Sequence, residues 1–121
     1  MNITLPREGA ARAARRLVAQ CCSEAGAGPD LASSVALLTS EVVTNALLHG
    51  RGLVRLSFSA DRTRVRVEVG DDDPAHPRVP EQLGGAESGR GMLIVAALAS
   101  DWGVVDVPGG KVVWFELVAQ P

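Results

Sequence analysis

At 121 residues the chain has room for one domain with a real core and not for two. Apolar residues make up 46%, which excludes disorder, while 3% aromatics and a net charge of −2 supply neither the stacking platforms nor the basic surface that nucleic-acid binding needs. No unbroken apolar run approaches the roughly 18 residues of a membrane span and the N-terminus lacks a signal-peptide core, so a cytoplasmic protein with no membrane partner is expected.

Met1 to Leu5 reads as a short strand or an extended arm. Pro6 suits a first helical position, and Ala10, Ala14, Leu17 and Cys21 recur at helical spacing towards Gly26. The arginines at 12, 15 and 16 fit a solvated helix face better than a phosphate tract. Cys21 and Cys22 are neighbours, so their side chains point about 100° apart and a bond between them would be strained. Two buried, reduced thiols are expected. Gly26 to Pro29 is a turn, and Asp30 is placed to cap a second helix running to about His49. Val54, Leu56 and Phe58 then alternate with polar residues, as do Val65, Val67 and Val69, giving two strands joined by a short hairpin at Asp61 to Thr63.

From Asp71 to Ser88 the acids, prolines and glycines describe a loop of uncommon length, the kind that carries function or moves. Leu93, Ile94, Ala97 and Leu98 return to helical spacing, and strands at Trp102 to Val107 and Lys111 to Val118 flank a Pro108-Gly109-Gly110 turn. The order implies an α+β two-layer sandwich, with helices on one face of a mostly antiparallel sheet, forming a single domain over residues 1–121.

Three segments carry candidate chemistry. Glu41 and Asn45 lie one turn apart in the second helix, about 40° from each other around its axis, with His49 about as far again. Val35, Leu38, Val42 and Ala46 form the greasy stripe beside them. A carboxylate next to an amide on such a face is costly unless something uses their oxygens, although an ordinary solvated helix edge would also read this way. Asp71 ends a buried valine strand, where a carboxylate can accept from an exocyclic amine or simply close a turn. Ser88-Gly89-Arg90-Gly91 opens the next helix, where glycines let the backbone approach an anion and the helix start supplies free N–H groups.

In this order, Glu41-x-x-x-Asn45, a strand ending in Asp71, and Gly89-Arg90-Gly91 before a helix resemble the nucleotide-binding boxes of the Bergerat-fold (GHKL) ATPases. The brevity and the tail Gly110-Lys111-Val112-Val113-Trp114-Phe115-Glu116-Leu117 look most like the stand-alone anti-sigma-factor serine/threonine kinases of actinobacterial type. The resemblance implies ATP and Mg²⁺ as cofactors. Asn45 would hold the Mg²⁺, Glu41 would be the general base for the attacking hydroxyl, and Asp71 would read the adenine amine. Gly89 and Gly91 would free N–H groups for the phosphates, with Arg90 a charge partner, and residues 74 to 88 would form a lid. The implied partners are an anti-anti-sigma (STAS-type) protein and a sigma factor, with a homodimer as a further option. His49 reads as a helix-end residue, not a phosphorylated one. The family's second box usually runs Asp-x-Gly-x-Gly, whereas here it is Asp71-Asp72-Asp73-Pro74-Ala75, with two extra acids that would repel a polyphosphate unless cations intervene. That departure keeps a second reading open, a non-catalytic regulatory binding module of the same fold. A dinucleotide-binding enzyme fits less well, because these glycines follow a loop and not the first strand of a βαβ unit.

Overall fold

The computed structural model describes residues 1–77, 79 and 90–120. In chain order the elements are β1 (Asn2–Leu5), α1 (Ala10–Glu24), α2 (Pro29–His49), β2 (Val54–Ala60), β3 (Arg64–Asp71), α3 (Arg90–Leu98), β4 (Asp101–Val107) and β5 (Gly110–Val118). The strands form one five-stranded sheet in the order β1-β2-β3-β5-β4, and every ladder is antiparallel. The three helices cover one face of it, as the α+β sandwich expectation requires.

Period-two alternation sets the register. Leu56 lies opposite Val69, Phe58 opposite Val67, and Val67 in turn opposite Phe115. These residues point to the helices and are buried with Val35, Leu38, Val42, Val43 and Ala46 of α2 and Met92 and Val95 of α3. Burying a side chain of this size contributes about 1.5–3 kcal/mol, and a one-residue slip would turn the whole set to solvent. By length and composition alone α2 could cross a bilayer, but half of it is buried within the fold, as in a core helix.

The opposite face of the sheet is polar. Arg66 donates to Glu68 at 2.8 Å and to Glu116 at 2.9 Å, and its guanidinium stacks 4.2 Å from the centre of the Trp114 ring. Trp114 lies across Gly103 in register, where any Cβ would come within 2.9 Å of the indole nitrogen.

Three local expectations are corrected. Helix α1 begins at Ala10 and not at Pro6, behind Gly9 with a positive φ of 74°. Arg7 is drawn instead to the end of α2, where it donates to the carbonyl oxygens of Leu47 at 2.6 Å and Gly52 at 3.0 Å, satisfying a helix-terminal acceptor. The buried stripe of α1 is Ala10, Ala14, Val18 and Cys22, so Cys22 is in the core while Cys21 is only half-buried. Burial, with the neighbouring Cys21 second, pushes the Cys22 thiol up to about 11. Asp30 does not cap α2: Gly28 holds that position, Pro29 is the first helical residue, and Asp30 sits in the first turn, where its charge suits the helix dipole.

Candidate functional site

The candidate residues converge along the second half of α2. Asn45 is buried, at 8% exposure, and Glu41 one turn earlier is half-buried. His49, at the exposed end of the same stripe, closes the helix. The valine, leucine and alanine stripe beside them is buried throughout, which fixes the rotation of α2 and so the direction in which its polar stripe points.

Helix α3 reaches this stripe at its first turn. A Cβ placed on Gly91 would stand 2.7 Å from Glu41 Oε2 and 3.4 Å from the Glu41 backbone oxygen, so only glycine lets the two helices meet here without moving the carboxylate. The first described turn of α3 therefore lies directly against Glu41, and a helix N-terminus of this kind directs its leading N–H groups out of the helix. Gly89 and the Ser88 before it lie outside the described residues, as does most of the 74 to 88 segment read as a lid. Its first residues are placed: His76 Nε2 meets Asp106 of β4 at 2.6 Å.

Asp71 approaches the other end of the stripe. Gly50, just past α2, passes so close that a Cβ on it would stand 2.7 Å from Asp71 Oδ2. From Glu41 to Gly50 is nine residues, about 13 Å of helix, with Asn45 near the middle. The stripe thus links the α3 start at one end to the strand-end carboxylate at the other.

Asp71 is 1% exposed and fully engaged. Its Oδ1 accepts from Lys111 Nζ at 3.0 Å and from the Asp73 N–H at 2.8 Å, and the same ammonium donates to the Asp73 carbonyl at 2.8 Å. Lys111 is itself 3% exposed and is the residue directly opposite Asp71 in the β3–β5 ladder. The two neighbouring acids are also matched by cations: Asp72 by Arg55 at 2.9 Å and Asp73 by Arg51 at 3.5 Å. The Ala75 N–H holds the Asp73 carboxyl below the usual carboxylate range; burial, the next largest effect, opposes it, and the Arg51 and Lys111 charges lower it further. The acidic triplet is locally neutralised, which answers the repulsion that the sequence raised.

Of the expected residues, the fold brings Glu41, Asn45 and Gly91 together and sets Asp71 beyond Asn45. Lys111, Arg51 and Arg55 were not anticipated. Among the described residues no group of three or more His, Cys, Asp or Glu side chains is placed to hold a metal ion. A Mg²⁺ here would take the Asn45 amide oxygen as a hard ligand and draw its remaining oxygens from water and a bound phosphate, the usual habit of this ion. The donor set fits that role and no all-protein cage.

The family described as the histidine kinase-like ATPase domain matches residues 5–117. The chain belongs to that family. No curated protein matches it. Among solved structures, the RsbU and RsbW domains of Rv1364c from Mycobacterium tuberculosis are 23% identical with a TM-score of 0.70, covering 100% of this chain and 33% of that one. The histidine kinase domain of a blue-light activated histidine kinase from Erythrobacter litoralis is 23% identical with a TM-score of 0.55, over 89% of this chain and 60% of that one. The histidine kinase AdeS of Acinetobacter baumannii is 11% identical at the same TM-score, over 100% and 68%. This histidine kinase-like ATPase domain thus spans about a third of the first of these solved chains and shares its fold.

Proposed function

We propose that the chain binds Mg²⁺–ATP between α2 and α3 and acts in the cytoplasm as an anti-sigma serine/threonine kinase. Its substrate would be a serine or threonine of an anti-anti-sigma (STAS-type) partner, whose modification decides whether a sigma factor is held or released. The observation that carries the reading is the buried Asn45 amide one turn from Glu41, with the glycine-opened start of α3 lying against that carboxylate.

In this reading the Asn45 oxygen holds the metal, and the first N–H groups of α3, including that of Gly91, receive phosphate oxygens. Mg²⁺ would supply charge neutralisation on the phosphates. Glu41 accepts the proton of the attacking hydroxyl as its oxygen bonds to the γ-phosphorus and ADP departs. The resemblance adds Gly89 and Arg90 as further phosphate contacts.

The test is transfer of labelled γ-phosphate to a cognate anti-anti-sigma protein. Glu41→Gln should leave Mg²⁺–ATP affinity nearly intact and reduce transfer by roughly 10²-fold or more, because a base acts in the transition state. Equal rates in wild type and Glu41→Gln would remove Glu41 from the chemistry. A second reading, a non-catalytic binding module, is favoured by the engaged Asp71 and by Asp73 and Ala75, which stand where the second box has its glycines. Partner binding by wild type with no transfer would establish it.

A further inference from the structure

Asp71 is the carboxylate that the family resemblance assigns to an exocyclic amine, and it is already bound to a cation of the same chain. Oδ1 carries two donors, Lys111 Nζ and the Asp73 N–H, and Oδ2 faces the Gly50 backbone with no room for even a methyl group between them. Both partners of the ion pair are almost completely sealed from solvent. Lys111 cannot easily withdraw, because its Cα is fixed opposite Asp71 in the ladder, on the same sheet face as Val113, Phe115 and Leu117.

Displacement by a ligand is unfavourable for a definite reason. The ammonium brings ion-pair attraction as well as a hydrogen bond to the carboxylate, whereas a neutral amine brings the hydrogen bond alone and is a poor substitute for it. Among the described residues the displaced ammonium would keep the Asp73 carbonyl alone as a partner, in a buried position where losing a counter-ion is strongly destabilising.

We infer that Lys111 is a specificity-determining residue of this site: an internal cation that occupies the amine-reading carboxylate, so that a bound nucleotide is held by its phosphates and its purine 6-amino group goes unread. The inference rests on the nucleotide reading proposed above. It makes the base end permissive, and Lys111 the residue that makes it so.

The experiment is calorimetric titration of the full chain with ATP and with purine riboside 5′-triphosphate, which is ATP without the 6-amino group, both with Mg²⁺. Wild type should bind the two within about threefold of each other. Lys111→Met keeps most of the stem, removes the charge and vacates one of the two acceptor positions on Asp71 Oδ1, so it should prefer ATP by about tenfold or more. Wild type that already prefers ATP tenfold overturns the inference and leaves the nucleotide reading standing. So does a Lys111→Met variant that binds both nucleotides without preference, since Asp71 then reads no amine in either state. A wild type that binds neither while Lys111→Met binds ATP selectively supports the inference in a stronger form, with Lys111 closing the site. If neither nucleotide binds either protein, the nucleotide reading falls and takes this inference with it. The wild-type comparison needs no variant, so the test survives even if Lys111→Met does not fold.

Discussion

Gly91 has no side chain at a point where one would touch the Glu41 carboxylate. The group it would meet is the far end of a flexible side chain, so Gly91→Ala should cost little stability. It should still displace the carboxylate, and a base misplaced by about 1 Å can lose roughly 10²-fold in rate. The expected outcome is an unchanged thermal midpoint with phosphotransfer reduced to near the Glu41→Gln level; full transfer by Gly91→Ala would show that Glu41's position is not critical. Asn45 is tested through the metal. Asn45→Ala should weaken ATP binding at least tenfold when Mg²⁺ is present, about 1.4 kcal/mol, and change it little in EDTA. Equal affinities at fixed Mg²⁺ would remove the metal role.

The β2–β3 hairpin carries its own prediction. Asp61 Oδ1 accepts from the N–H groups of Thr63 and Arg64, each at 2.8 Å, and from the Thr63 hydroxyl at 3.2 Å. The two backbone bonds, first that of Thr63, hold its carboxyl below the ordinary 3.8. A carboxyl lowered in the folded state contributes stability above its unfolded value and loses it as pH falls through the folded one. Asp61→Ala should therefore destabilise the protein at pH 7, and its gap to wild type should narrow in urea titrations below about pH 3.8. A gap independent of pH would mean that the turn does not depend on the charge.

The same elements mark what the sequence could convey. Strands β2, β3 and β5 were legible because alternation is local and one face is buried. The start of α1 was not, because Arg7 is engaged by the end of α2, some forty residues away. Glu41, Asn45 and Gly91 were legible as motifs, and the packing of α2 then brings them together. Lys111 was missed although a signal existed: the core-facing series 65, 67, 69, 71 and 111, 113, 115, 117 each carry one charge at one end, of opposite sign. Recognising the pair required knowing that β3 and β5 are neighbours, which is a property of the sheet order and not of either segment.

For the whole molecule the Asp71–Lys111 pair is a point of vulnerability. A domain of this size is typically stable by about 5–15 kcal/mol, and removing one partner of a buried pair costs about 3–5. Asp71→Ala should thus lose a large share of total stability, since it strands the Lys111 ammonium at 3% exposure. The double variant Asp71→Asn, Lys111→Met should recover much of the loss, because neither remaining group is charged. Urea unfolding of wild type, Asp71→Asn, Lys111→Met and the double variant closes the cycle. Additive losses would show that the two side chains contribute separately.

The stacking of Trp114 under Arg66 has an optical consequence. The chain has no tyrosine, so its ultraviolet emission comes from two indoles on opposite faces of one sheet. Trp102 packs against the core, and Trp114 sits on the outer face beneath a guanidinium. Lys111 and Trp114 lie on opposite faces of β5, three residues apart, so the outer indole is screened from the Glu41 to Asp71 stripe by the sheet itself. Trp114→Phe would leave a single fluorophore whose spectrum follows the core alone, and difference spectra against wild type would then isolate events on the far side of the sheet.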